Sequence, residues 1–418
     1  MKRVLYLLFL VFITSSLSAQ WECRSQLSPK LKPLAQSKLY WASEVTLGAG
    51  YLTNNAIFNS MGFLGLDYSV KNSVLFAEIG YKYWDRVDFD SKNNFKNGHF
   101  GVRELFYQYK GGSSRVTAGI QSATLDDYFL LNERMLGVNY KYNKNAWALN
   151  FNGGTVLKGF SRNGLFCSVG YLYDIVQGRD LALIGSKPGE TNFAGVSIRY
   201  SPSKAKTNKE KNSDEFSLNE FESDFLDNGE RMRFQIEDIG LVLYSEFGSL
   251  IDNVVYIPGV FIKVEMPANF TFKPEVLYQI SNQNNAIIYS LALESNIVTS
   301  KNKFSVNTRY IGSYEIDESA KLLNSYSNLF MGDVLRLDSR DALPLLQIGA
   351  RVSFPSIKTH FKLQYSAAMG RMPLSELNFE YGKRFAKLVQ IVAVTGLVNN
   401  KQIGQELFFG RVECRISL

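Results

Sequence analysis

The chain holds two histidines, so acid–base chemistry by imidazole would have to pass through His99 or His360. His99 lies beside one long polar connection and Asp126–Asp127 lies in another, an Asp–His combination that a hydrolase could use. Nothing else converges on them. The sequence has no G-x-S-x-G, no H-E-x-x-H and no phosphate-binding glycine loop. Cys23, Cys167 and Cys414 are odd in number and far apart, with no C-x-x-C, so neither a metal nest nor a disulfide framework is drawn. Cys167 and Cys414 fall on the apolar faces of their segments and read as small buried hydrophobes. No catalytic group, cofactor or metal is expected.

Charge offers a different kind of chemistry. In "IKTHFKLQYSAAM", residues 357 to 369, alternate positions separate into two sets. Lys358, His360, Lys362 and Gln364 form one. Thr359, Phe361, Leu363, Tyr365, Ala367 and Met369 form the other. Period-two alternation is a β-strand signal, because successive side chains point to opposite faces. One face is wet and the other dry. His360 between two lysines could sense pH, since imidazole titrates near neutrality; the preferred reading is a solvated lumen residue.

The same alternation recurs from Tyr40 almost to the end. Leu75, Ala77, Ile79, Tyr81 and Tyr83 share one face of "VLFAEIGYKYW", with Glu78 and Lys82 opposite. In "RVTAGIQS", Val116, Ala118 and Ile120 oppose Arg115, Thr117, Gly119 and Gln121. Later strands set Arg309, Arg351, Glu376, Glu380 and Arg384 against apolar partners, while Lys383 breaks its pattern. "RMRFQIEDIGLVLY" switches its apolar face between Ile236 and Ile239, which requires a bulge or a tight turn at Glu237–Asp238. Helical periodicity is scarce; residues 319–335 are the best candidate, inside a long connection.

The first nineteen residues have the form of a secretory leader: Lys2 and Arg3, an apolar run from Val4 to Ile13, then small residues to Ala19. With that leader removed, 44 basic against 39 acidic residues leave a net +5. This mild, dispersed excess gives no sign of nucleic-acid binding. No uninterrupted apolar run is long enough for a transmembrane helix. Mean hydropathy is −0.11 and aromatics make up 14%. Alternating strands in an exported chain produce this balance. Short connections (Lys71–Ser73, Gly111–Ser113, Pro355–Ser356) alternate with long ones (Arg86–Asn97, Ala123–Glu133, Ser201–Asn228, Tyr314–Asp341). Sorting of short turns and long loops onto opposite rims is a property of outer-membrane barrels.

The expectation is therefore all-β: a transmembrane antiparallel up-and-down β-barrel of about 18–20 strands over residues 40–418. Residues 20–39 form a periplasmic N-terminal segment, and both chain ends lie in the periplasm. In a closed barrel every backbone amide facing lipid is paired. The last segment, "FFGRVECRISL", places Val412, Cys414, Ile416 and Leu418 on one face and Arg411, Glu413 and Arg415 on the other, as a closing strand would. The expected setting is the outer membrane of a Gram-negative bacterium, with membrane lipid as one partner.

One stretch carries a family resemblance. "VRELFYQYKGGSSRVTAGIQSATLDDYFLLNERMLGVNYKY", Val102 to Tyr142, resembles part of a substrate-diffusion porin at Arg103, Glu104, Gly119, Gln121, Arg134 and Gly137. The resemblance implies passive passage of small polar solutes. The lumen-lining candidates are Arg103, Glu104, Arg115, Gln121, Arg309, Arg351, Lys358, His360, Lys362, Glu376, Glu380 and Arg384. Basic groups moderately outnumber acidic ones among them, which favours anions. Residues 201–228 and 314–341 are expected to fold inward and narrow the pore. The alternative is a plugged barrel that works through partners in secretion or surface attachment; an outer-membrane enzyme is the third reading. A homo-oligomer or a periplasmic protein partner fits either of the first two. A TonB-dependent transporter would need a longer segment before the first strand.

Overall fold

A computed structural model describes residues 38–52, 55–88, 94–125, 130–157, 192–202, 234–248, 251–281, 285–299, 302–315, 344–369, 373–385, 389–400 and 405–417. The leader, most of the N-terminal segment, Asp126–Asp127 and the long segments at 203–233 and 316–343 lie outside them.

The described chain is a march of strands. They are β1 Lys38–Leu52, β2 Asn55–Val70, β3 Ser73–Asp88, β4 Asn94–Gly111, β5 Ser114–Leu125 and β6 Leu131–Lys144. Then come β7 Trp147–Val156, β8 Asn192–Tyr200, β9 Gln235–Gly248, β10 Ile251–Met266, β11 Phe270–Gln279 and β12 Ala286–Val298. The last six are β13 Lys303–Glu315, β14 Leu345–Phe354, β15 Thr359–Ala368, β16 Leu374–Phe385, β17 Val389–Asn400 and β18 Gln405–Ser417. Each strand pairs antiparallel with its neighbours in sequence, and β1 pairs with β18 from Glu44↔Ser417 to Leu52↔Phe409. The sheet closes on itself as an 18-stranded up-and-down barrel. Closure explains why so many strands coexist without an aggregating edge.

Burial is inverted relative to a water-soluble protein. Leu363, Leu66 and Val412 are about half exposed, while Glu104, Glu246 and Glu376 are fully buried. Lipid-facing apolar side chains and an inward polar set produce this inversion. Aromatic groups on the outward face lie toward both rims, with Tyr51 and Phe408 rings 5.6 Å apart toward the one opposite the turns. Trp147 and Tyr200 rings lie 4.8 Å apart, and Phe361 contacts Phe379 at 6.1 Å and Tyr381 at 5.3 Å. Tyr107 and Tyr140 hydroxyls meet Ser73 and Ser114 at 2.8 and 3.1 Å, the amphipathic use expected where rings reach an interface.

One rim carries both ends of the described chain and the tight turns at Lys71, Asn145 and Lys358, each with left-handed backbone (φ 50°, 54° and 53°). Sorting of connection lengths departs from expectation here. Direct pairing of β7 with β8, and of β8 with β9, makes the chain leave β8 at this same rim. The connection from Ser201 to Phe234 therefore starts and ends among the tight turns, and short connections at 53–54 and 249–250 join strands at the opposite rim. Strand parity between residues 157 and 235 decides the matter, and alternation alone does not set it. The switch between Ile236 and Ile239 is a bulge inside β9: Asp238 pairs with Lys263, and Ile236 with Val264, leaving Glu237 extra.

Candidate pore and its constriction

A second bulge organises the inner wall. On β4, Glu104 pairs with Glu78 and Val102 pairs with Ile79, so Arg103 is the extra residue. Strict alternation would send Arg103 and Glu104 to opposite faces. The bulge turns both inward, where they are 4% and 0% exposed. Glu78 and Glu104 stand directly across from each other, an unfavourable like-charge pairing. Arg103 relieves it: its Nη1 lies 3.1 Å from Glu78 Oε2. The guanidinium also stacks 4.2 Å over the Phe63 ring on β2. Between those strands the register places Gly80, an inward position without a side chain.

Just beyond the bulge, β5 leaves β4. Described pairing between them stops at Leu105↔Ile120, while β5 stays paired with β6 as far as Leu125↔Leu131. Burial shows where this end of the hairpin goes. Gln121, Ser122 and Ala123 are buried in succession, as are Leu130 and Leu131, and Arg134 and Met135. A barrel wall leaves every second residue open to lipid; here both faces are covered by protein. Asn150 and Asn152 on β7 donate to Thr124 O at 3.4 and 3.1 Å. A Cβ on Gly195 of β8 would stand 2.6 Å from Leu125 Cδ2 and 3.3 Å from Tyr244 Cδ2. The β5–β6 hairpin thus lies across the inner face of β7 and β8.

Glycines make the fold line. Gly119 pairs with Gly137, and Gly137 with Gly154, so three glycines cross three adjacent strands in register. A Cβ on Gly119 would come 2.3 Å from Leu105 O, and one on Gly154 would come 2.4 Å from Leu136 O. Gly119 also has φ +127°, a conformation open to glycine. Gln121 spans the bend, its Nε2 donating to Thr117 O at 2.9 Å and to Gly137 O at 3.1 Å.

The remaining charged groups line β13 to β18. Arg351 pairs with Lys362, and Lys362 with Glu380. His360 Nε2 meets Glu380 Oε1 at 2.7 Å, with its ring lying over Gly382. Glu376 is buried and accepts a hydrogen bond from Asn378 Nδ2. Arg309 Nε donates to Ser290 Oγ at 3.3 Å. On β18, Glu413 bridges Arg411 and Arg415, at 3.4 and 2.9 Å. Exposure on this inner face is graded. Arg199, Arg351 and Arg384, toward the turn-bearing rim, are exposed. Toward the other rim the inward residues Ile257, Leu277, Ile311 and Leu345 are at most 1% exposed.

Of the candidates named from sequence, the structure brings Arg103, Glu104 and Gln121 together at the bulge and bend. Arg115 stands lower on β5, paired with Lys141. Arg309, Arg351, His360, Lys362, Glu376, Glu380 and Arg384 share the inner face of β13–β16. Lys358 sits in the turn before β15, where its carbonyl accepts from Arg384 N at 2.9 Å. Sequence reasoning put Glu78, Arg411 and Glu413 on polar faces without naming them as candidates, and it passed over Asn150 and Asn152. No local signal ranked any of them above its neighbours. Among the described residues no group of three or more His, Cys, Asp and Glu gathers as a metal would require.

No family model and no curated protein matches the chain. Solved structures do. Pseudomonas aeruginosa OccK7 (OpdD) superposes with a TM-score of 0.53 at 9% identity, covering 92% of this chain and 99% of that one. Pseudomonas aeruginosa OccD3 (OpdP) gives 0.51 at 7% identity, covering 91% of each. This chain has the porin fold. In this porin-like barrel the inward hairpin and the charged wall lie within one continuous closed sheet.

Proposed function

We propose that this porin-like barrel is an outer-membrane channel for passive diffusion of small polar or charged solutes. The observation that carries the reading is the β5–β6 hairpin laid across the inner face of a closed barrel. A barrel that only anchored a partner would have no need to bend two strands into its own lumen. The charged wall adds selectivity. Exposed Arg351 and Arg384 face the turn-bearing mouth, while Arg199 there is offset by Asp238 at 3.5 Å, so the potential favours anions on the β14–β16 side. In this reading that rim, which carries both ends of the described chain, faces the periplasm, and the first nineteen residues serve as export leader. No catalytic role is assigned.

A second reading has its own support. Ile257, Leu277, Ile311 and Leu345 point inward yet are almost completely buried, so this part of the lumen is filled rather than wet. A plugged barrel acting through protein partners would have such an interior. Purified protein in a planar bilayer separates the two. Stable conductance steps with a reversal potential shifted toward the anion support the channel; sustained silence supports the plugged barrel, and cation preference rejects the selectivity.

A further inference from the structure

Where β5 departs, carbonyls of β4 lose the strand that would have run beside them. Two of them, Val102 O and Arg103 O, accept hydrogen bonds from a single atom. Arg134 Nη1 on β6 donates to both, at 3.1 and 3.0 Å. The side chain is 5% exposed. Its register partner on β5 is Ser122, inside the stretch that leaves the wall. The contact therefore ties the bent hairpin back to the strand it has abandoned.

The residue type follows from the task. A β-bulge leaves successive main-chain groups misaligned with any regular ladder. Unpaired carbonyls inside a membrane protein are costly, and a donor must reach them from across the gap. Guanidinium has two N–H groups on one terminal nitrogen, held in a fixed plane, so one nitrogen can serve two neighbouring carbonyls. An ammonium is compact and strongly hydrated and gives up more to enter such a site.

We infer that Arg134 is the positioning residue of the constriction: by holding the two bulge carbonyls of β4 it fixes how far the β5–β6 hairpin stands into the lumen, and with it the aperture. The Gly119–Gly137–Gly154 line permits the bend, Arg134 sets its depth, and the Asn150 and Asn152 amides receive the far side. The inference rests on the channel reading for its consequence in conductance, but not for its geometry.

The test uses full-length protein lacking the native cysteines. Leu125→Cys with Gly195→Cys should form a disulfide readily under mild oxidation when Arg134 is present. Adding Arg134→Lys should slow that reaction several-fold, and Arg134→Met should slow it further. Ala123→Cys, buried in the parent, should become several-fold more reactive to a membrane-impermeant maleimide. In bilayers the same variants should show larger or noisier conductance steps. Equal cross-linking rates with and without Arg134→Lys, or no disulfide in the parent, overturn the inference. A parent silent in bilayers would reject the channel reading while the cross-linking still decides this one. If Arg134→Met does not assemble, Arg134→Lys carries the comparison.

Discussion

Gly119 and Gly137 face each other across β5 and β6 with main chain, not side chains, closing the space between neighbouring strands. A methyl on Gly137 would stand 2.2 Å from Gly153 O. The next strand cannot yield without breaking its own ladder. Gly137→Ala should therefore destabilise the barrel by about 2–3 kcal/mol or straighten the hairpin. Urea unfolding in lipid vesicles would register the first outcome, and faster maleimide labelling at Ala123→Cys the second. Wild-type behaviour in both assays would remove the crease from the account.

How much of this was legible beforehand depends on periodicity. Strands such as β3 and β15 announce themselves because lipid on one face and polar lumen on the other force strict alternation, as with Leu75 and Phe361 against Glu78 and Lys362. The closed antiparallel barrel follows from repetition. Bulges are hidden for the same reason. Arg103 and Glu104 are adjacent, and alternation assigns them opposite faces until the pairing of Glu78 is known. The inward hairpin was not legible: inward folding was expected of residues 201–228 and 314–341, nearly all outside the described residues, and the resemblance through Gly119, Gln121, Arg134 and Gly137 implied a porin without a bend. The hairpin's bend depends on where β4 stops pairing, a long-range property no local window contains. Strand parity around Ser201 is long-range in the same way.

Arg103 reaches Glu78, whose carboxylate the register sets directly across from Glu104. Arg103→Ala would leave Glu78 facing Glu104 on a buried surface, and removing one partner of a buried pair costs about 3–5 kcal/mol. Adding Glu104→Gln to Arg103→Ala should recover a measurable part of that loss, because it removes one of the two repelling charges. Equilibrium unfolding of the two single variants and the double variant completes the cycle. Additive losses would mean that the carboxylates do not repel one another through the site.

Arg351 and Arg384 are exposed on the inner wall, so their charges contribute to the potential that a passing ion meets. Arg351→Glu and Arg384→Glu should each move the reversal potential toward cations, and the two together further. Stability should change by no more than about 0.5 kcal/mol, because neither is buried. Reversal potentials across a salt gradient read the effect directly, and it should weaken as salt rises. An unchanged selectivity in the double variant would place the selecting field elsewhere, at the bulge cluster.

Leu363 and Asn307 test which side of the wall meets lipid. Leu363 is 51% exposed on the outward face of β15. Asn307 is exposed on the inward face of β13, opposite Glu294. Leu363→Lys should cost about 2–4 kcal/mol, the price of an ammonium at the middle of the hydrocarbon layer. Asn307→Lys should be nearly neutral, since its ammonium stays hydrated beside a carboxylate. Unfolding by urea in vesicles gives both values, and vesicles with thicker acyl layers should preserve their order. If the two lysines cost the same, the outward apolar face is not in lipid, and every assignment of lumen and membrane made from the alternation reverses or falls.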